Sequence, residues 1–171
     1  MIDLRPDVVK AIHMKTRSEW EPRGNTVHAC LEAFLKGQEH DPGDYVEWVE
    51  PLLSYPLWDR WDAVAAEFSM CDLRYGIAGM ADCILRHKET GQYALADLKT
   101  LGPTGRKRDI SAQLGGYVSL LARHKPEIQI TKCFGIWAKP KETFTTTFDP
   151  IDCLDIYERQ RQVFLSKQLR I

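Results

Sequence analysis

Cysteine is sparse: Cys30, Cys71, Cys83, Cys133 and Cys153 form an odd, scattered set of 5 with no C-x-x-C pair. That spacing supports neither a zinc knuckle nor a disulfide framework and reads as small core side chains in a reducing compartment. No apolar run approaches the roughly 18 residues of a membrane span, so no membrane partner is expected. No basic-then-apolar leader opens the chain, so a secretory signal is not expected either. A Gly-x-x-x-x-Gly-Lys-[Ser/Thr] phosphate loop is missing, which argues against a nucleotide-driven motor. Internal repeats and low-complexity tracts are also lacking.

The chain also lacks an excess of positive charge. Its net charge is −1, whereas proteins that hold nucleic acid by counterion release are usually basic as a whole. The objection is weak, because bound cations offset acidic ligands and a local cluster such as Arg106, Lys107 and Arg108 sets its own field. With 171 residues, 44% apolar and 27% charged, the composition fits one globular domain over 1–171. A helical part is expected over about 1–60 and a core over about 61–171.

The periodicity predicts helices over Asp3–Arg17, Asn25–Gly37 and Tyr45–Ser54, with Glu21-Pro22-Arg23-Gly24 breaking the first from the second. Asn25 or Thr26 suits an N-cap and Gly37 a C-terminal stop. From Ala63 the period shortens. Strands are expected over Ala63–Cys71, Tyr75–His87 and Gln92–Lys99, the last two joined by a turn at Lys88-Glu89-Thr90-Gly91. A helix over Asp109–Arg123 follows, then strands over Ile128–Ala138 and Thr143–Phe148, then a helix over Pro150–Lys167. The order defines an α/β fold with a central mixed β-sheet flanked by helices and extra helices at the N-terminus.

Two stretches carry chemistry. Gly76-Ile77-Ala78-Gly79-Met80-Ala81-Asp82 places a carboxylate in an apolar strand, and the next strand reads Ala94-Leu95-Ala96-Asp97-Leu98-Lys99. Asp97 and Lys99 point to one strand face. Desolvating such charges without partners costs several kcal/mol, on the order of the penalty for a buried ion, so they are normally paired or bound to a metal. Two carboxylates on adjacent strands make the hard oxygen site that Mg2+ takes. Lys99 on the same face can orient a water or neutralise a phosphate, and phosphodiester hydrolysis follows from that combination. The plain alternative, Asp97 and Lys99 as surface residues at a strand edge, would hold for the pair taken alone.

The pattern Gly-x-x-Gly-x-x-Asp, hairpin, Asp-x-Lys-Thr, then Gln113-x-x-x-Tyr117 on a helix resembles the RecB-like branch of the PD-(D/E)XK nucleases. Upstream, Gly24 and His28 resemble that branch's Gly-x-x-x-His helix, so the likeness runs from about Gly24 to Tyr117. It implies a restriction-endonuclease-like core and one or two Mg2+ or Mn2+ ions on Asp82, Asp97 and the Leu98 backbone carbonyl. It implies His28 as an imidazole ligand and Lys99 beside the nucleophilic water. Glu67, acidic in an apolar strand, would bind a second ion or hold its water, with a strand-face ion pair as the alternative. Gln113 and Tyr117 would face the site, contacting the scissile phosphate or supporting Lys99. Some relatives carry an iron–sulfur cluster on grouped C-terminal cysteines; Cys133 and Cys153 are ungrouped, so no cluster is expected.

DNA is the expected partner. The loop at Arg106, Lys107 and Arg108 reads as a clamp on its backbone, while Trp48, Trp58, Trp61, Tyr45 and Tyr55 read as core rather than as base-stacking platforms. The expected activity is a metal-dependent DNA exonuclease of phage or mobile-element type, in a bacterial or phage-infected cytoplasm. An endonuclease of the same fold and an inactive nucleic-acid-binding module are the alternatives. Homo-oligomerisation is left open, since no interface is specified.

Overall fold

The computed structural model describes residues 17–168. The helix expected over Asp3–Arg17 therefore lies outside the described residues except for Arg17. The first described helix, α1, spans Arg17–Leu35 and contains Pro22. This corrects the expected break at Glu21–Gly24. A proline inside a helix forfeits a backbone hydrogen bond and costs about 3 kcal/mol. Burial outweighs it: Val27, Cys30 and Leu31 lie at helical spacing and are almost fully buried, and Arg17 pairs with Glu21 at 2.7 Å across the proline turn. The helix closes as expected. Gly37 takes a φ of +65°, its N–H donates to the Phe34 carbonyl, and the Gln38 N–H donates to that of Ala33, the two bonds of a Schellman stop.

A 3₁₀ turn at Gly43–Tyr45 leads to α2 (Val46–Leu53) and the short α3 (Leu57–Arg60). The sheet follows: β1 Trp61–Asp72, β2 Ile77–His87, β3 Tyr93–Thr100, then α4 Ser111–His124, β4 Ile130–Lys139, β5 Glu142–Phe148 and α5 Pro150–Gln168. Strand order is β1-β2-β3-β4-β5. Only β3 and β4 run parallel, and α4 is the crossover that a parallel pair requires. The sheet is thus mixed and flanked by helices, an α/β architecture with added N-terminal helices. Among the described residues no helix is long and apolar enough to cross a membrane.

Strand alternation divides the core. Ala94, Ala96 and Leu98 of β3 with Phe134, Ile136 and Ala138 of β4 pack under α1, α2 and α3. On the opposite face Leu95, Cys133 and Trp137 pack with Leu114, Val118 and Leu121 of α4 and Cys153 of α5. Trp61 is buried edge-on against Phe134. Trp58 donates to the Leu52 carbonyl and Trp48 to that of Leu101, while Tyr55 meets Thr145 and Tyr45 lies edge-on to Trp48. These aromatics stabilise the helical layer.

Candidate functional site

Strands β2 and β3 pair only from Arg86↔Tyr93 to Cys83↔Ala96. Beyond that point β2 continues with β1 as far as Ile77, and β3 continues with β4 as far as Thr100. The two strands part into a fork, and the first residues past it are Asp82 on one arm and Asp97 on the other. The fork leaves β3 N–H groups without a β2 partner. Asp82 fills that gap: its Oδ2 accepts a hydrogen bond from the Leu98 N–H at 2.5 Å. A carboxylate accepting a buried backbone N–H is both satisfied and fixed in place.

His28 reaches the fork from α1. Its Nδ1 lies 3.3 Å from Asp82 Oδ1 and 3.8 Å from Glu67 Oε1, and one ligand atom from each of His28, Glu67 and Asp82 falls within 4.8 Å of the others. Burial pulls the His28 imidazole down, but Asp82 and Glu67 outweigh it and hold its pKa above the ordinary value. Glu67 is held high by burial and by the Asp82 charge.

Glu67 has a second peculiarity. Its φ is +50°, a left-handed conformation that costs a side-chain-bearing residue about 1–2 kcal/mol. It lies between the pairs Ala66↔Cys83 and Phe68↔Ala81, hence opposite Asp82, downstream of a register shift between Ala63 and Ala65. Strain of this kind collects where side-chain aim matters. Nothing in the sequence flags it, since the residue reads there as one acid in an apolar strand.

Asp97 is 1% exposed. Gln113 Nε2 donates to its Oδ1 at 3.2 Å and also to the Tyr117 hydroxyl at 2.7 Å. Lys99 Nζ is 2.6 Å from Oδ2, a close ion pair. Burial and the Asp82 charge, opposed by Lys99, push the Asp97 carboxyl up to about 6. Helix α4 brings Gln113 there in its first turn, started by Asp109, whose Oδ1 accepts from the Ser111 N–H at 2.9 Å and hydroxyl at 2.5 Å.

These residues line a cleft of about 860 Å³, walled on one side by α1 through Trp20, Gly24, His28 and Glu32. Glu32 pairs with Lys36, the residue that follows the end of α1. Arg106 and Arg108 line the cleft. Lys107, the third member of the expected clamp, turns away to the Thr146 hydroxyl on β5, 3.5 Å distant. The start of this loop is held at Leu101, whose N–H donates to the Ala138 carbonyl and whose carbonyl accepts from Trp48 Nε1. Leu98 lines the cleft, but its contact with Asp82 is made by the N–H; the carbonyl, singled out from the sequence, makes none with that side chain. Trp20 and Met80 also line the cleft. Neither carries a signal in the sequence, because isolated apolar residues at helix and strand surfaces are ordinary.

Neither a family model nor a curated protein matches the sequence. Among solved structures, the chain is similar to a protein from Eubacterium rectale described as a "Putative exonuclease". The TM-score is 0.54 at 13% identity, covering 84% of this chain and 65% of that one. This chain thus spans about two thirds of the length of that structure, and the likeness is one of fold.

Proposed function

We propose that the chain is a divalent-cation-dependent deoxyribonuclease of the RecB-like PD-(D/E)XK kind, an exonuclease that hydrolyses phosphodiester bonds at DNA ends. The observation that carries this is the fork. It brings Asp82, Asp97 and Lys99 together where two strands part, with His28, Glu67 and Gln113 converging from three other elements. The donor set suits Mg2+ or Mn2+, being mostly carboxylate oxygen with one imidazole. His28, Glu67 and Asp82 each offer a ligand atom within 4.8 Å of the others, and the buried Asp97 carboxylate stands across the fork from Asp82. Asp82, Asp97, His28, Glu67 and the Leu98 carbonyl are the groups that would hold one or two ions. When bound, the ion supplies Lewis-acid stabilisation of the phosphoryl charge.

The chain's own residues do the rest. Lys99 presents a positive charge beside Asp97 and orients the water whose oxygen bonds to phosphorus as the bond to the leaving sugar oxygen breaks. Gln113 fixes Asp97, and Tyr117 fixes Gln113. Arg106 and Arg108 hold backbone phosphates at the rim without reading sequence. An α1 wall on the cleft favours entry by a strand end over capture of a continuous duplex, and the name of the similar structure points the same way.

The test is digestion of linear against closed circular DNA, single- and double-stranded, with Mg2+ or Mn2+, using Lys99→Ala as the control. Loss of linear DNA alone, abolished by the substitution, is the expected result. Cut circles would make the protein an endonuclease. Binding without cutting would make it a nucleic-acid-binding module.

A further inference from the structure

Gly76 and Gly79 flank the same short stretch but are glycines for different reasons. Gly76 takes a φ of +61° at the β1–β2 turn, and nothing lies within 4 Å of where its Cβ would be. Its conformation is the constraint. Gly79 has no such backbone conformation, and its constraint is space. A Cβ there would fall 2.8 Å from Tyr117 Cε1, 3.1 Å from Cδ1 and 3.4 Å from Leu120 Cδ1. The Tyr117 ring therefore lies directly on the β2 backbone where a side chain would otherwise stand.

That ring leads to the site. Its hydroxyl accepts from Gln113 Nε2 at 2.7 Å, and the same nitrogen donates to Asp97 Oδ1 at 3.2 Å. Gln113 donates to one oxygen of the Asp97 carboxylate, and Lys99 Nζ stands 2.6 Å from the other. We infer that Gly79 is a positioning residue for Asp97: its bare backbone seats the Tyr117 ring, which holds Gln113 on the carboxylate. The inference rests on the proposed nuclease reading for its effect on catalysis, but the seat itself does not.

A methyl group at position 79 must push the ring off the strand, because the β2 backbone fixes where the Cβ stands and it meets Tyr117 Cε1 at 2.8 Å. The hydroxyl then leaves Gln113, and Asp97 loses its orientation. Groups that orient a metal ligand typically change metal affinity or activity by about 10–100-fold when removed.

The experiment is a double-mutant cycle of Gly79→Ala with Tyr117→Ala. Mn2+ affinity and hydrolysis of linear DNA are measured, together with the 19F resonance of Tyr117 in fluorotyrosine-labelled wild type and Gly79→Ala, assigned with Tyr117→Phe. Gly79→Ala alone should weaken Mn2+ binding and hydrolysis by about 10–100-fold and shift the Tyr117 resonance. In the Tyr117→Ala background, where the seat is empty, it should change either quantity by less than about two-fold. Equal losses in both backgrounds would overturn the inference, as would wild-type behaviour of Gly79→Ala. If Gly79→Ala does not fold, a folded double variant matching Tyr117→Ala supports the seat, and an unfolded one refutes it. If the wild type cleaves no DNA, the nuclease reading fails, while the resonance still decides whether Gly79 seats the ring.

Discussion

The conformation of Glu67 sets stability against function in a way that can be measured. Replacing Glu67 by Gly removes a left-handed φ of +50°, worth about 1–2 kcal/mol for a residue with a Cβ. It also removes a carboxylate held high by burial and by Asp82. Against this, glycine in a strand costs about 0.5–1 kcal/mol in chain entropy. The balance favours the variant by about 1 kcal/mol without cations, an increase in Tm of about 2–4 °C for a chain of this size. Glu67→Gln keeps the strained backbone and removes only the charge, so it separates the two contributions. The charge contribution has a sign in pH: with the folded pKa raised, the carboxylate's penalty is absent below its unfolded pKa and develops as pH rises through the folded one. Thermal unfolding of the three proteins, with and without saturating Mn2+, is the assay. Wild type should gain more from Mn2+ than either variant, because a ligand stabilises by its affinity for the folded state. A cation-free Glu67→Gly that is less stable than wild type by more than about 1 kcal/mol, with Glu67→Gln neutral, would refute the idea that the site stores strain at this residue.

With the Asp97 carboxyl pushed up to about 6, the folded protein binds the extra proton, so cation-free stability should fall as pH rises from about 4 to about 6. Asp97→Asn should flatten that slope in a melting series, and the Tm gain from Mn2+ should grow through the same window as the proton leaves. Gly115→Ala would place a Cβ 2.0 Å from the Cys153 carbonyl oxygen and 2.4 Å from its carbon. Since both obstacles are backbone, α5 must move off α4, at or above the upper end of the roughly 1–3 kcal/mol usual for overpacking. Gly116→Ala meets only Tyr157 ring atoms at 3.2 Å and beyond and should lower Tm by much less in thermal unfolding of the two variants. Arg106→Glu and Arg108→Glu should each reduce the salt slope of DNA binding by about 0.7–0.9. Lys107→Glu, whose side chain is on Thr146, should leave that slope unchanged in fluorescence titrations.

Much of the sheet was legible because strand alternation is a local signal. Ala94, Ala96 and Leu98 face one core and Leu95 the other, and the expected strands match the observed ones to within a few residues. Helix α1 runs through Pro22, against its local signal, for the opposite reason. Local propensity argued for a break, and burial of Val27, Cys30 and Leu31 against a sheet formed later in the chain decided otherwise. Tertiary contacts of that kind leave no mark at the proline itself.

The candidate site divides along the same line. Asp82, Asp97 and Lys99 stood out as charges in apolar strands, and the structure does bring them together with His28, Glu67 and Gln113. What the sequence withheld is how the geometry is held. The fork ends β2–β3 pairing one residue short of Asp82 and Asp97, so the Leu98 N–H must find another acceptor, and the nearest fixed one is the Asp82 carboxylate. A broken ladder and an intrusive acid thus depend on each other: the acid without the break would face a paired backbone, and the break without the acid would leave a buried N–H unsatisfied at a cost of about 1–3 kcal/mol. Asp82→Ala should therefore destabilise the cation-free fold as well as abolish any metal site, whereas Asp82→Asn, whose amide oxygen can still accept from Leu98, should spare the fold. Equal Tm values for the two variants would mean that the fork stands without its carboxylate.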